Sequence, residues 1–127
     1  MLADVLRQAV GTSGYSARAG GEEFIAYLPN ASLKAAMTIG NLVRVSFEHG
    51  NWASLGIDRA VTVSCGLAAV LEEPRALHRA FGLADHALYA AKSSGRNKLI
   101  SSEPLTRSKG AGNRHLVSAI PAPHLTM

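Results

Sequence analysis

The chain has 127 residues, of which 47% are hydrophobic, and a chain of this size and composition builds one globular domain around one compact core. The net charge is +4, but only 6% of the residues are Phe, Trp or Tyr, which are the side chains that stack on bases. We therefore expect no nucleic-acid partner. No apolar run approaches the ~18 to 20 residues of a membrane-spanning helix, which predicts no membrane segment and a cytoplasmic location.

The first third of the chain is predicted to form a helix and a hairpin. Residues 2–10 place their apolar side chains on one face at helical spacing. Two strand-like runs follow at 15–19 and 23–28, and Gly20 and Gly21 lie between them. Glycine adopts positive φ without steric cost, so this pair predicts a tight turn.

The next part of the chain alternates helix and strand. An amphipathic helix is predicted over 33–47, a strand over 60–69, another amphipathic helix over 77–91 and a short strand over 97–100. Gly95 is placed to be the residue after the helix C-cap. This order predicts an α/β (α+β) fold, in which helices flank a central sheet.

The composition changes after residue 101. Residues 102–127 are rich in Ser, Gly and Pro and have no sustained periodicity. We therefore predict a domain over 1–101 and a disordered tail over 102–127. Within the tail, HLVSAI at 115–120 is also compatible with a short docking segment.

Several conspicuous side chains are predicted to be structural. The single cysteine, Cys65, lies in an apolar strand and is predicted to be a core residue. Trp52 is predicted to pack within its loop. The histidines show no metal-ligand spacing and are predicted to lie at the surface; they are His49, His78, His86, His115 and His124.

Two neighbouring carboxylates, Glu22 and Glu23, follow the glycine pair. Glycines at a turn let a phosphate approach the backbone, and adjacent carboxylates bind hard divalent cations such as Mg²⁺. This combination is typical of phosphoryl chemistry. A solvated acidic turn has the same composition, so the turn alone leaves both interpretations open.

Two cations, Lys92 and Arg96, lie four residues apart around a glycine turn at the end of the last predicted helix. Such a pair is suited to holding the terminal phosphates of a nucleotide. Cations in the last helical turn also favour the negative end of the helix dipole, and a glycine C-cap needs no ligand. The spacing alone supports both interpretations equally.

Three segments together resemble the GGDEF family of diguanylate cyclases. They are ARAGGEEF at 17–24, VTVSCGLA at 61–68 and LADHALYAAKSSGRNKL at 83–99, in the family's order and at its usual separations. The third segment is the most diagnostic because it carries the most fixed positions. The resemblance extends over about residues 2–100.

The resemblance implies a function. In that family two domains meet head to head as a homodimer, each holding one GTP, and each 3′-hydroxyl attacks the α-phosphate of the other GTP. The products are cyclic di-GMP and pyrophosphate. By the same resemblance Glu22 binds Mg²⁺ or Mn²⁺ and is the proposed base, and Glu23 is its catalytic neighbour.

The resemblance also implies the contacts with the nucleotide. Gly20 and Gly21 form the turn over which the nucleotide lies, while Lys92 and Arg96 hold its β- and γ-phosphates. Two further family positions are interpreted as structural support, and these are Ser64 and Asp85.

The chain departs from the family at its start. The family's first strand carries an Asp-rich segment with a second metal ligand, and guanine-reading residues follow it. These positions align before Met1. We therefore expect a sheet without its first strand, unpaired edges on the neighbouring strands, and weak or absent activity for this fragment.

Three hypotheses remain open from the sequence. The first is an enzyme domain that condenses two GTP molecules, supported by the intact GGEEF. The second is a non-catalytic GGDEF module that binds nucleotide or a protein partner as a regulator. The third is a truncated gene product without independent function, supported by the uncapped first helix and the low-complexity end.

Overall fold

The computed structural model describes residues 2–58, 61–71, 74–102 and 114–121. Within these ranges the chain forms three α-helices and five strands. In chain order they are α1 (Leu2–Val10), β1 (Tyr15–Gly20), β2 (Glu23–Leu28), α2 (Leu33–Glu48), β3 (Val63–Ala69), α3 (Ala76–Ser93), β4 (Leu99–Ser101) and β5 (His115–Pro121). Single 3₁₀ turns at Gly11–Ser13 and Ala53–Leu55 lie in the connections.

The five strands form one mixed sheet in the order β1-β2-β5-β3-β4. The pairs β1–β2, β2–β5 and β5–β3 are antiparallel, whereas β4 runs parallel to β3 at the far edge. The α+β class predicted from the sequence is confirmed. The described residues contain no helix that combines the length and apolar character needed to cross a membrane.

The two faces of the sheet bury two separate apolar clusters. Helices α1 and α2 cover the larger one, which includes Leu6, Val43, Cys65 and Val117. Helix α3 covers the smaller one on the opposite face, where Ala84 packs with Ala68 and Leu116 from the sheet. Side chains alternate between faces along a strand, so odd and even positions of β3 serve different helices.

Helix α3 approaches the sheet most closely at Gly66. A β-carbon built on Gly66 would lie 2.1 Å from the carbonyl oxygen of Ala84 and 2.4 Å from the backbone nitrogen of Leu88. These backbone atoms of α3 leave no room for a side chain. This glycine therefore sets the distance between α3 and the sheet, and with it the position of every side chain that α3 carries.

The predicted core role of Cys65 is confirmed, whereas Trp52, predicted to pack within its loop, packs against α2 in the larger apolar cluster. Cys65 is fully buried in β3, and burial raises the pKa of its thiol to about 12, which keeps it protonated and unreactive. The Trp52 ring packs edge-on against Phe47 with 4.8 Å between ring centroids. Its indole nitrogen donates to the Phe47 carbonyl at 3.0 Å, so its polar end is satisfied.

The structure differs from the predicted tail at residues 115–121, which form β5 in the centre of the sheet. Backbone pairing connects β5 to β2 from Phe24 to Leu28 and to β3 along its whole length. The expectation of unpaired edges on β2 and β3 is therefore wrong. The physical reason is that a gap between two strands exposes unsatisfied backbone groups, and any segment of compatible size is favoured to fill it.

The surface prediction for histidine is wrong at His115. This side chain is fully buried at the start of β5, and its Nδ1 lies 2.8 Å from the Ala31 carbonyl. His49, His78 and His86 are exposed, as predicted. His124 lies outside the described residues.

Candidate active site

The hairpin between β1 and β2 forms the tip of the candidate site. Gly20 and Gly21 have φ values of +149° and +45°, which side-chain-bearing residues rarely adopt. Neither glycine would place a β-carbon within 4 Å of another group, so the space above the turn is open. Arg18 stabilises the turn, because its Nε donates to the Gly21 carbonyl at 2.8 Å.

The two predicted carboxylates are placed differently. Glu22 is exposed in the turn, whereas Glu23 begins β2 and is partly buried. The odd positions of β2 face α3, since Tyr27 packs with the cluster under that helix. Glu23 therefore projects to the α3 side of the sheet, where Lys92 is also carried.

Burial and a neighbouring acid raise the pKa of Glu23 to about 7. Loss of solvent contributes most, and Asp85 adds to the shift through a hydrogen bond and through charge repulsion. The Ser118 hydroxyl and the positive charge of Lys92 act in the opposite direction. Even so, within the described part of the chain, Glu23 Oε2 and Ser118 Oγ are buried without a partner at good hydrogen-bond geometry.

Helix α3 carries an acidic residue, Asp85, and a basic residue, Lys92, that both act on Glu23. Asp85 and Lys92 lie seven residues apart, which is about two helical turns, so they occupy the same side of the helix. The structural role predicted for Asp85 is therefore incomplete, because this residue adjoins a predicted catalytic carboxylate. Ser64 does have the predicted supporting role, since its hydroxyl accepts from the backbone nitrogen of Asn97 at 3.2 Å.

The end of α3 presents the predicted cation pair. Gly95 has a φ of +120° after the C-cap Ser94, and the Arg96 nitrogen donates to the Ala91 carbonyl at 2.8 Å. This is the six-to-one bond of a Schellman C-cap, so the prediction for Gly95 is confirmed. Neither Lys92 nor Arg96 forms an ion pair within the described ranges, which leaves both charges available to an anion.

The donor atoms around Glu23 fit a magnesium ion that is shared with a substrate. Mg²⁺ prefers oxygen ligands and is often held by one or two carboxylates together with water and phosphate oxygens. Glu23 and Asp85 supply carboxyl groups, and among the described residues Glu23 Oε2 has no partner at good hydrogen-bond geometry. The described residues contain no group of three or more His, Cys, Asp or Glu side chains that would enclose a metal by itself.

Of the predicted site residues, the structure brings Glu23 and Lys92 within electrostatic reach of each other. Glu22 and Gly21 lie in the adjoining turn. Asp85 and Ser118 were not predicted as members of the site. The helical spacing between Asp85 and Lys92 was a usable signal for the first, whereas the second depends on the position of β5, which no local pattern indicates.

Protonation of Glu23 predicts a pH-dependent stability. The folded chain keeps a proton on Glu23 up to about pH 7, while a free glutamate releases it near 4.5. The free energy of unfolding should therefore fall as the pH rises from about 4.5 to 7, by on the order of 1 kcal/mol after solvent screening. Urea unfolding of the wild type and of Glu23→Gln, with EDTA present, should show this slope only in the wild type. Identical slopes in the two proteins would contradict it.

Comparison with known proteins identifies the family. The family model described as "Diguanylate cyclase, GGDEF domain" matches residues 1–98. The chain is 32% identical over 102 residues to diguanylate cyclase A of Treponema denticola, covering 80% of this chain and 28% of that protein. It is 34% identical over 99 residues to diguanylate cyclase DgcP of Pseudomonas aeruginosa, covering 78% of this chain and 15% of that protein.

A relative without an assigned activity matches equally well. The uncharacterized protein YhcK of Bacillus subtilis is 37% identical over 102 residues, covering 77% of this chain and 28% of that protein. The chain thus spans 28% or less of the length of these relatives. The matched region includes the hairpin, all three helices and the cation pair, and the chain belongs to the GGDEF domain family of diguanylate cyclases.

Proposed function

We propose that this chain acts in bacterial second-messenger signalling, in the cytoplasm, as the GTP-binding and catalytic part of a diguanylate cyclase. Two copies, each holding one GTP, would condense their substrates into cyclic di-GMP and pyrophosphate. The observation that carries the proposal is the approach of Glu23 to Lys92 beside an open glycine turn. A carboxyl group that could bind a metal is thus within electrostatic reach of a cation that could bind phosphate, which supports the proposal.

Each residue of the proposed site has a role that follows from its chemistry. Lys92 and Arg96, which have no ion-pair partner in the described ranges, would hold the β- and γ-phosphates. The open space above Gly20 and Gly21 would admit the nucleotide against the backbone. Glu22 and Glu23, with Asp85 beside the latter, would hold Mg²⁺ or Mn²⁺, which supplies Lewis-acid polarisation of the phosphate when bound.

The reaction requires a base and a leaving group in each half. A 3′-hydroxyl gives up its proton to the base, for which we propose Glu22, because it is exposed at the turn and free to meet a second copy. The hydroxyl oxygen bonds to the α-phosphorus of the other GTP while the bond to pyrophosphate breaks. Lys92 and Arg96 would stabilise the negative charge that develops on the departing pyrophosphate.

The phosphate role of Lys92 predicts a loss of nucleotide affinity. Replacement by alanine removes a charge-assisted hydrogen bond, so Lys92→Ala should bind GTP with Mg²⁺ roughly 10- to 100-fold more weakly than the wild type in titration calorimetry. Lys34→Ala is the matched control, because Lys34 is exposed on α2, on the other side of the sheet. Equal affinities for the two variants would contradict the proposed site.

Turnover is tested separately from binding. Purified chain incubated with GTP and Mg²⁺ at high protein concentration should give cyclic di-GMP at a low rate, measured by chromatography, and Glu22→Gln should abolish this weak activity while retaining GTP binding. Product formation by Glu22→Gln at the wild-type rate would remove Glu22 from the base role.

A second candidate function is a GGDEF module that binds nucleotide or a protein partner and regulates without turnover. The specific observation in its favour is the pKa of Glu23, which burial and Asp85 raise to about 7, because a protonated carboxyl group is a poor metal ligand. Magnesium-dependent GTP binding without product, in a folded chain at high concentration, would favour this alternative over the enzyme.

A further inference from the structure

The position of β5 defines a groove in the sheet that accepts a strand. Strand β5 follows every other described element in the sequence, yet it lies in the middle of the sheet. Its pairing with β2 covers five register positions, and its pairing with β3 covers seven. Removing β5 would leave both neighbouring strands with unpaired backbone donors and acceptors.

The groove also lies between the two apolar clusters, which pack against the side chains of β5 on both faces of the sheet. Residues 115–119 of β5 are at most 2% exposed, and the apolar ones are divided between the two apolar clusters. Val117 and Ala119 enter the cluster under α1 and α2, while Leu116 enters the one under α3. An empty groove would expose apolar surface on both faces of the sheet, which strongly favours refilling it with the same sequence.

The connection to β5 is longer than the distance that it must bridge. The end of β4 and the start of β5 flank the same end of β3, because Ser101 pairs with Leu67 and His115 pairs with Ala69. Two strand spacings and a two-residue offset separate them by roughly 12 Å. The eleven residues 103–113 can span about 36 Å when extended, which is close to the diameter of a domain of this length.

We propose that the groove between β2 and β3 binds β5 of a second copy of this chain as well as its own, giving a dimer by strand exchange. Each exchanged β5 makes the contacts that it makes within its own chain, so the exchanged dimer loses no pairing. The connection fixes an effective concentration in the millimolar range for the chain's own β5. Exchange should therefore grow as the protein concentration approaches that range. This proposal depends on the sheet topology and not on the proposed enzymatic function.

Cross-linking between full-length chains tests the exchange. Cys65→Ala removes the natural thiol in every protein used. One tagged chain carries Ile25→Cys and one untagged chain carries Ser118→Cys, because Ile25 and Ser118 are register partners in β2 and β5. Cross-strand partners lie within the Cα separation that a disulfide requires. After mixing and mild oxidation, a non-reducing gel separates the tagged-untagged pair from dimers of either chain alone.

The control pair places the cysteine of β2 on the opposite face of the sheet from the cysteine of β5. Ala26→Cys replaces Ile25→Cys, so its thiol leaves the opposite face of the sheet from Ser118. A further chain carries both Ile25→Cys and Ser118→Cys and reports closure within one molecule. We expect this chain to close internally at low micromolar concentration, and the mixed chains to cross-link several-fold more than the control, with a yield that rises with concentration.

Two outcomes overturn the proposal. If the mixed chains cross-link no more than the control at millimolar concentration, while the doubly substituted chain closes internally, then β5 stays in its own molecule. If the doubly substituted chain does not close either, then β5 does not occupy the groove. Should circular dichroism show that Ile25→Cys is unfolded, Tyr27→Cys paired with Leu116→Cys tests the same register.

Discussion

A chain carrying Val117→Asp should be unfolded at room temperature. Val117 is 2% exposed in the central strand β5 and packs in the larger apolar cluster. A carboxylate placed there without a partner costs roughly 4 to 5 kcal/mol, which is comparable to the whole stability of a small domain. Far-ultraviolet circular dichroism and urea titration at neutral pH measure the loss directly.

Val45→Asp is the matched control for this substitution. Val45 lies on α2 and is 41% exposed, so the same change in side chain meets water instead of the core. Valine and aspartate have similar helix propensities, and we expect a change within about 1 kcal/mol. If both variants unfold at the same urea concentration, residues 115–121 behave as a tail and the central position of β5 is wrong.

A comparable loss is expected for Gly66→Ala. One methyl group would lie 2.1 Å from the Ala84 carbonyl oxygen, and neither backbone can move without separating α3 from β3. We expect a destabilisation of about 3 kcal/mol or more, together with a loss of GTP affinity, because Lys92 is carried by the same helix. Urea unfolding measures the first effect and calorimetry the second.

Gly82→Ala provides the opposite result on the same helix. Gly82 is exposed in α3, and a β-carbon there meets nothing within 4 Å. Alanine lowers the entropy of the unfolded chain and favours the helix, so this variant should be more stable by about 0.5 to 1 kcal/mol. Destabilisation by Gly82→Ala equal to that of Gly66→Ala would show that the close contact between helix and sheet is not the cause.

The elements with a clear period were predictable from the sequence. Helix α1 occupies the predicted residues 2–10, and α2 and α3 extend the predicted helices by one or two residues at their ends. In each case one face is apolar and the other is in water, which imposes the 3.6-residue repeat. The hairpin was equally predictable from the sequence. Its turn requires positive φ at Gly20 and Gly21, which few residues other than glycine adopt.

Strand β5 was not predictable from its local sequence, although β3, which is buried on both faces as well, was predicted from the alternation of its larger apolar residues with small ones. A half-exposed strand alternates apolar and polar residues, whereas His115–Pro121 is covered from both sides and shows no alternation. Its neighbours in the sequence have the composition of a tail. The strand is determined by the gap between β2 and β3, which is a property of the folded sheet and of no local segment.

The charged residues of the candidate site were predictable from the sequence, but the residues that pack around Glu23 were not. The sequence placed Glu22, Glu23, Lys92 and Arg96 in one proposed site, and in the structure the positive charge of Lys92 acts on Glu23. The pKa of Glu23 depends on burial and on Asp85, two features that come from the packing of α3 against the sheet. Charge can be read from residue type, but desolvation depends on which elements meet.

The late place of β5 in the sequence has a consequence for synthesis. During translation β2 and β3 leave the ribosome well before β5, which is made after every other described element. Until β5 emerges, the facing edges of β2 and β3 have no strand to pair with. Pairing Phe24 with Ala119 then closes a loop of most of the chain, which slows folding. Nascent chains stalled before residue 115 should accordingly bind chaperones that recognise exposed strand edges, and release them once β5 has emerged.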